Sequence, residues 1–291
     1  MNLTPFPTPN YWVHNLDPFI VQFPDGWPLD GIRWYGMAYL VGLLFGYFAL
    51  AFYYKKGRSP LDDNGRSNFL IALLIGVLGG GRLGYMLLYQ FDELCTNPLS
   101  LFQVWNGGMA SHGGMIGAAL AVWWTARHHK TSFLWLMDCI TSLAGLGIFL
   151  GRLANFINGE LWGKVTNVPW AVVFPWREFI DGKEVIVGYL LPRHPSQLYA
   201  ATLEGLVMLI YTQIRFWKKE PLPRGQLTGE AAIIYGAFRV FNEFFREPDI
   251  GVSLFFGFSR GTIYSLLLML VGIALVIFAR SRNKKNKTQQ V

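Results

Sequence analysis

Seven stretches of this 291-residue chain are mostly apolar and close to the length that crosses a lipid bilayer. A helix needs about 20 apolar residues to span the hydrocarbon core. Apolar residues make up 52% of the chain and charged residues 15%, whereas a soluble chain carries about 25% charged residues. The sequence therefore predicts an all-α polytopic membrane protein of about seven transmembrane helices, with six or eight left open. The predicted spans are 34–54, 69–90, 112–126, 134–151, 196–216, 227–245 and 261–279.

Lysine and arginine are concentrated in four clusters that follow the first, third, fifth and seventh predicted spans. The clusters lie at residues 55–66, 127–130, 215–224 and 280–287 and hold more than half of the 25 basic residues. Because positively charged loops stay on the cytoplasmic side, we expect the N-terminus outside and the C-terminus inside. This topology accounts for most of the net charge of +7. The basic balance therefore indicates contact with anionic membrane lipids, and not with nucleic acid.

The longest segment outside the predicted spans is residues 159–195, on the outer side. Within it, "WAVVFPWREF" and "EVIVGYLL" flank "IDGK", and Asp-Gly between apolar runs is typical of a β-hairpin. We expect a small β-containing extracytoplasmic head, inserted in a single integral membrane domain of residues 1–291. The N-terminal "MNLTPFPTPNYWVHNLDPF" has no continuous apolar core. We therefore expect it to lie at the outer interface and not to be a cleavable signal peptide.

Polar and charged side chains within the predicted spans are candidates for function. A charge at the centre of a membrane helix costs about 2.5–3.5 kcal/mol on insertion scales, so those present tend to face a cavity and act there. The sixth span carries four such residues at helical spacing on one face: Tyr235, Arg239, Glu243 and Arg246. The other spans carry Arg82, His112, Arg152, Asn155, Asn158 and Glu160 in or beside them. Two interpretations of Arg239 and Glu243 stay open: a buried pair that fixes helix packing, or part of a binding site.

The predicted topology brings cations and an imidazole to the outer ends of three spans, at His112, Arg152 and Arg246. The planar fork of arginine suits a phosphate, and lipid headgroups supply phosphate diesters at that depth. A histidine beside arginines is expected to be neutral, so His112 is usable as a base. His194 lies next to Pro195 in a rigid turn, and we interpret it as mainly structural. The two cysteines are far apart and form no CxxC motif, so we expect no metal and no other cofactor.

Six short motifs, in order along nearly the whole chain, carry a family resemblance. They are "RWYG" (33–36), "GGRLGY" (80–85), "GGMASHGG" (107–114), "GRLANFINGELWG" (151–163), "LPRHPSQLY" (191–199) and "YGAFRVFNEFFREPD" (235–249). Together they resemble the motifs of the bacterial prolipoprotein diacylglyceryl transferases. The resemblance implies a seven-span enzyme of the bacterial inner membrane. Such an enzyme moves the diacylglyceryl group of phosphatidylglycerol to the lipobox cysteine of a prolipoprotein, and glycerol phosphate leaves.

The resemblance also implies the site residues: Tyr35, His112, Arg152, Asn155, Glu160, Gly163, Tyr235, Arg239 and Glu243. The shared helix face adds Arg246 as a further substrate-binding residue. A thiol with a pKa of about 8.5 supplies little thiolate at neutral pH, so we expect His112 to take its proton. We expect Arg152 and Arg239 to hold the phosphodiester and to offset the charge that grows as it leaves. The chain departs from the family pattern at Ala200, where an acidic residue is common.

Three other classes of function are compatible with polar residues in membrane helices. Buried arginine, glutamate and histidine also mark ion or proton relays in transporters, but the chain shows no internal repeat of the kind many transporters have. An intramembrane serine protease is disfavoured because Ser111 is not in a G-x-S-x-G motif. A scaffold that only binds lipid stays open, because residue chemistry alone does not separate binding from transfer.

Overall fold

The computed structural model describes residues 3–24, 27, 30–103, 108–180, 183–247 and 259–288. Within these ranges, the side chains of residues 111, 112, 179, 180, 183, 184, 260 and 286–288 are not described. By its internal contacts the chain divides into two compact units. The first unit comprises residues 1–42 and 141–291, and the second comprises residues 43–140.

The described part of the chain is mostly helical, as the sequence predicts. Its helices are α1 (Trp34–Lys55), α2 (Asp63–Tyr89), α3 (Phe91–Thr96), α4 (Ser111–His128), α5 (Phe133–Ile157), α6 (Ser196–Ala200), α7 (Met208–Phe216), α8 (Gln226–Glu243) and α9 (Arg260–Thr288). Each predicted span falls on helical structure. By length and composition, four of the described helices could cross a membrane: Trp34–Lys55, Asp63–Tyr89, Phe133–Ile157 and Gly261–Lys285 within α9.

The fifth predicted span is helical but not uniform. Helix α6 continues into a π-helical segment, Ala201–Val207, and this segment continues into α7. A π-helical turn widens the helix, and such turns occur frequently at functional sites. The hydropathy pattern of the sequence predicts the span but contains no signal for the change in helical pitch.

Side-chain caps determine where two of the long helices begin. The Asp62 carboxylate accepts a hydrogen bond from the Gly65 backbone amide at the start of α2 (2.7 Å). The Ser259 hydroxyl accepts one from the Thr262 amide at the start of α9 (3.0 Å). In both cases a short polar side chain satisfies an amide that has no partner within the helix.

In the unit of residues 43–140, glycines bring α2 and α4 into backbone contact. A Cβ atom on Gly76 would collide with the Gly117 carbonyl, and one on Gly80 would collide with the Gly113 carbonyl. Small residues at helix interfaces allow this close packing in membranes. Arg82, a candidate for function by sequence, is buried in the same unit and donates to the Ser100 carbonyl oxygen (2.7 Å), so it anchors the 3₁₀ turn Pro98–Phe102.

Strands of the other unit form a small β-structure. They are β1 (Leu3–Thr4), β2 (Trp12–Val13), β3 (Phe19–Gln22), β4 (Gly31–Arg33), β5 (Val172–Val173), β6 (Pro175–Ile180) and β7 (Lys183–Leu190). The predicted hairpin is the antiparallel pair of β6 and β7, and β1 extends it to the order β1-β7-β6. Strand β2 pairs in parallel with β5, and β3 pairs with β4.

The apolar core of the β-structure lies over the end of α5. Phe156 of that helix packs with Val172, Phe174 and Leu190, all of them buried. His14, next to β2, donates through Nε2 to the Phe156 carbonyl oxygen (2.7 Å) and is itself buried. The N-terminal segment, predicted only to lie at an interface, therefore pairs with the strands of residues 172–190 and covers this helix end.

Candidate functional site

The motif "GRLANFINGELWG" reverses the chain at the end of α5. Gly159 adopts a positive φ of 69°. Its amide donates to the Phe156 carbonyl, and the Glu160 amide donates to the Asn155 carbonyl (3.1 Å). These two hydrogen bonds form a Schellman motif, which needs a left-handed residue and therefore favours glycine. The reversal folds Glu160 back over the last turn of the helix.

The folded-back carboxylate meets the two asparagines of the motif. Glu160 Oε1 accepts a hydrogen bond from Asn155 Nδ2 (2.8 Å) and another from Asn158 Nδ2 (3.3 Å). Gln197 of α6 donates to the Glu160 backbone carbonyl (2.6 Å). Asn155 and Gln197 are buried. The predicted polar residues Asn155 and Glu160 are thus in direct contact, and they form a compact hydrogen-bonded group at the end of α5.

Arg152 lies one helical turn before this group and forms an ion pair with Glu204 of the π-helical segment. The distance from Arg152 Nη2 to Glu204 Oε2 is 3.0 Å. The Glu204 side chain is completely buried, while the Arg152 side chain is 21% exposed. Arg152 also donates a hydrogen bond to the Tyr235 hydroxyl of α8. Arg152 therefore contacts Tyr235, another predicted site residue, and Glu204, an acidic residue that the sequence prediction omitted.

Arg239 and Glu243, four residues apart on α8, form a direct ion pair. The Ser259 hydroxyl donates to the other carboxylate oxygen of Glu243 (2.7 Å). A Cβ atom on Gly261 would lie 2.8 Å from the Glu243 carboxylate, so glycine at the start of α9 leaves the space that this pair occupies. Arg239 is buried, and its Nη1 atom has no hydrogen-bond partner among the described residues.

The backbone around Gly163 joins the α5 motif to the end of α8. Gly163 forms an isolated antiparallel bridge with Arg246. The Gly163 amide donates to the His194 carbonyl (2.9 Å), and the Lys164 amide donates to the Phe245 carbonyl (2.8 Å). A Cβ atom at position 163 would lie 2.5 Å from both of these carbonyl oxygens. Gly163, predicted as a site residue, therefore has a structural function that only glycine can perform without a backbone shift.

Two further predicted residues lie near these charges. Arg246 Nη1 is 4.0 Å from Glu243 Oε1, so Arg246 extends the Arg239–Glu243 pair. The Tyr35 hydroxyl, near the start of α1, is within electrostatic range of Glu160 and Arg152 and hydrogen-bonds to the Tyr39 hydroxyl (3.3 Å).

The structure describes the side chain of His194 but not that of His112. His112 lies in the first turn of α4, and its side chain is outside the described residues, so its function as a base stays a prediction. Nδ1 of His194 is 3.1 Å from the Tyr199 hydroxyl, which also accepts a hydrogen bond from Trp170 (2.7 Å). Burial lowers the pKa of His194, so the imidazole is neutral at pH 7. These contacts are consistent with the structural interpretation of His194.

Sequence reasoning missed Glu204, Gln197 and Ser259, and it noted Asn242 as a polar residue of the sixth span without assigning it to the site. Glu204 had a usable signal, because it is a lone carboxylate in the apolar run of the fifth span, and charges in that setting are usually functional. Asn242 belongs to the same sixth-span segment as Arg239, and its amide donates to Glu204 Oε1 (3.4 Å). For Gln197 and Ser259 no sequence signal separates them from other polar residues at helix ends. Among the described residues, no group of three or more His, Cys, Asp or Glu is arranged to hold a metal ion.

Comparison with known proteins decides what kind of enzyme contains this arrangement. The family model for prolipoprotein diacylglyceryl transferase matches residues 27–278. The chain belongs to this family. It is 43% identical over 288 residues to the phosphatidylglycerol–prolipoprotein diacylglyceryl transferase of Photorhabdus laumondii, covering 95% of this chain and 97% of the relative. The proteins of the same name from Pseudoalteromonas atlantica and Photobacterium profundum are 41% and 42% identical, with 94% and 93% of this chain covered and 92% and 96% of the relatives.

Membership of the transferase family agrees with the resemblance drawn from the six motifs. The matched range includes every predicted site residue, from Tyr35 to Arg246. The chain is therefore a transferase with several apolar helices, and the transporter and serine protease hypotheses are wrong.

Proposed function

We propose that this membrane enzyme transfers the sn-1,2-diacylglyceryl group of phosphatidylglycerol to the cysteine thiol of a prolipoprotein lipobox. The product is a thioether, glycerol phosphate is released, and the reaction is the first step of bacterial lipoprotein maturation. One observation carries the proposal. In a chain of the transferase family, two arginines that sequence alone selects, Arg152 and Arg239, are each held by a carboxylate within a single compact unit.

Both arginines keep donors for a phosphodiester. Arg239 Nη1 is buried without a partner among the described residues. Arg152 uses Nη2 for Glu204 and remains one-fifth exposed. An arginine fork donates two parallel hydrogen bonds to phosphate oxygens. Each arginine is also paired with a carboxylate. When the phosphodiester departs, neither arginine is therefore left as an unpaired buried cation.

Glu160 is the residue that we assign to the glycerol headgroup. Among the described residues, both of its side-chain hydrogen bonds go to Oε1, from Asn155 and Asn158. The second oxygen is thus available to accept from the hydroxyl groups that distinguish phosphatidylglycerol from zwitterionic phospholipids. The asparagines orient the carboxylate without neutralising it.

The reaction is a displacement at the sn-3 carbon of the diacylglyceryl group. The cysteine sulfur bonds to this carbon while the bond from the carbon to the phosphate oxygen breaks. The bonding electron pair leaves with that oxygen on glycerol phosphate, and the thiol proton passes to a base. The leaving phosphate gains one negative charge, so Arg152 and Arg239 stabilise the transition state more than the bound substrate.

We propose that His112, in the first turn of α4, is the base that accepts the thiol proton, and we base this assignment on its place in the sequence. Tyr235 and Tyr35 are the further residues to which we assign a catalytic function. The Tyr235 hydroxyl is hydrogen-bonded to Arg152, and the Tyr35 hydroxyl experiences the charges of Arg152 and Glu160. The Tyr235 hydroxyl orients the guanidinium, and the two hydroxyl groups add hydrogen-bond donors without changing the net charge.

The proposed topology has seven spans in the bacterial inner membrane, with a periplasmic N-terminus, a cytoplasmic C-terminus and residues 159–195 as a periplasmic head. The positions of the basic clusters support it. Single cysteines at Asp63 and Gly182, in a chain without Cys95 and Cys139, should react with an impermeant reagent from opposite sides of the membrane. Labelling of both positions in intact cells would contradict this topology.

The transferase activity is tested with purified protein, phosphatidylglycerol labelled in its acyl chains and a lipobox peptide. We expect the peptide to gain the mass of the diacylglyceryl group, with equimolar release of glycerol phosphate. A thioether resists hydroxylamine, whereas a thioester is cleaved by it, so this treatment separates the proposed reaction from acyl transfer. A peptide with serine in place of the lipobox cysteine is the control. Lipid binding without product would restore the scaffold hypothesis.

A further inference from the structure

Glu204 is the most completely buried charged side chain in the candidate site, with no exposed surface. Its two carboxylate oxygens have different partners. Oε2 pairs with Arg152 on α5 (3.0 Å), and Oε1 accepts from Asn242 on α8 (3.4 Å). A buried carboxylate without such partners is strongly unfavourable. These contacts give each oxygen of Glu204 a hydrogen-bond partner and tie three helical segments together at one point.

The backbone at this point is arranged so that Glu204 reaches Arg152. A Cβ atom on Gly205 would lie 2.6 Å from Phe149 Cα, and one on Gly145 would lie 2.7 Å from the Leu209 amide nitrogen. The two glycines therefore allow α5 and the fifth span to touch along their backbones. Glu204 lies within the π-helical segment, where the local pitch departs from that of the α-helices on either side. Direct backbone contact leaves the ion pair little freedom to move.

Of the two partners of Glu204, Arg152 is a proposed catalytic residue. Arg152 donates to Tyr235 as well as to Glu204, and Tyr235 also experiences the charge of Arg239. Glu204 itself has no exposed surface, so it does not contact substrate. Its effect on the reaction passes through the residues that it contacts, and Arg152 is the one of these that we assign to the phosphodiester.

We propose that Glu204 is a positioning residue that aims the Arg152 guanidinium at the phosphodiester. This inference rests on the proposed phosphate-binding function of Arg152. One nitrogen of the fork is committed to the buried carboxylate and another donor to Tyr235, which fixes the plane of the guanidinium. The remaining donors then point in one direction. The Glu204 carboxylate also compensates the charge of Arg152 when no substrate is bound.

The decisive variant is Glu204→Asp. It keeps the charge, but it withdraws the carboxylate by one carbon–carbon bond, about 1.5 Å, and draws the guanidinium out of place. A displacement of about 1 Å can cost about 100-fold in rate, so we expect kcat/KM for phosphatidylglycerol to fall by about 10- to 100-fold. The matched control is Glu230→Asp, because Glu230 is a carboxylate of low exposure (12%) that is likewise paired with an arginine, Arg215 (2.5 Å). The kcat/KM of this control should stay within about threefold of the wild-type value.

A second background separates positioning from packing. In Arg152→Lys the fork is already absent, so adding Glu204→Asp should lower activity by less than about threefold more. If Glu204 only supports packing, the two losses multiply, because independent effects add in free energy. Activity is expressed per folded protein, measured by size-exclusion chromatography and thermal unfolding. Glu204→Gln, which preserves side-chain volume, is included in case the shorter side chain prevents folding.

The outcomes distinguish this inference from the proposed function. A normal rate in Glu204→Asp together with a strong loss in Arg152→Lys would overturn the positioning function and leave the phosphate clamp intact. A normal rate in Arg152→Lys would overturn the clamp at Arg152, and with it the function of Glu204. Failure of both Glu204 variants to fold, while Glu230→Asp folds, would make Glu204 a structural residue.

Discussion

Gly163→Ala is expected to damage this enzyme more than any other exchange of glycine for alanine in the "GRLANFINGELWG" motif. The new methyl group would lie 2.5 Å from the carbonyl oxygens of His194 and Phe245. Favourable separations between nonbonded carbon atoms are about 3.5–4.0 Å, so the segments must separate by about 1 Å. Both obstacles are backbone atoms and cannot rotate away as a flexible side chain would.

The magnitude follows from the contacts that the shift disturbs. Overpacking typically costs about 1–3 kcal/mol. The bonds from the Gly163 amide to His194 (2.9 Å) and from the Lys164 amide to Phe245 (2.8 Å) weaken as the segments separate, and each is worth about 0.5–1.5 kcal/mol. The total is about 2–6 kcal/mol, which is below most of the stability range of folded domains, about 5–15 kcal/mol. The variant should therefore fold but unfold at a lower temperature.

We also expect the transfer rate of the folded variant to fall, because the strained bridge joins the segment after Glu160 to the end of α8, near Arg246. A 1 Å displacement between them is expected to lower transfer by about 100-fold. The assay measures thioether formation and thermal unfolding on the same preparations. Gly147→Ala on α5 is the matched control, because a Cβ atom there meets nothing within 4 Å, and alanine favours a helix. Wild-type stability and rate in Gly163→Ala would refute the steric argument.

Three further predictions concern the charges and the histidines. The double variant Arg239→Gln, Glu243→Gln leaves no unpaired charge, so it should be stable but inactive in transfer; a stable and active double variant would assign the pair to packing alone. His112→Asn keeps a polar group but removes the base, so the rate should fall by roughly 10²–10⁴-fold, and a near-normal rate at neutral pH would return His112 to a structural function. Burial lowers the pKa of His14 below its ordinary value of 6.5, although the hydrogen bond to Phe156 opposes this shift. The neutral imidazole therefore stabilises the fold fully above pH 6.5, and this contribution is lost as the pH falls through the lowered pKa. Thermal unfolding between pH 8 and pH 5 should show this acid loss in the native chain and a smaller one in His14→Gln.

The helices were predictable because each expresses a local property of the sequence. Long apolar runs lie on α1, α2 and α5, and the strands β6 and β7 lie on either side of the Asp-Gly pair in the sequence. The spacing of Arg239 and Glu243 likewise implies that they meet, because residues four apart face the same side of a helix. Interactions of this kind depend on few residues and on one regular geometry, so the pattern is sufficient to predict them.

The pair of Arg152 and Glu204 was not predictable in this way, although both residues are visible as charges in apolar surroundings. They are 52 residues apart in sequence, and their meeting depends on how closely two helical segments cross. That distance is determined by Gly145 and Gly205, which have no side chain to hold the backbones apart. The same holds for the N-terminal segment, since β1 and β2 are only two residues long and acquire their structure from β7 and β5.

The candidate site therefore combines two kinds of ion pair with different requirements. The pair on α8 forms within one helix, and Gly261 of α9 only has to leave room for it. The pair between Arg152 and Glu204 forms only if the helix crossing is correct. Folding errors at the crossing would leave the Arg152 guanidinium buried without its carboxylate, which is costly, so the ion pair also opposes misaligned packing. A completely buried carboxylate in this position thus links correct assembly of the helices to the placement of Arg152, the arginine that we propose binds phosphate.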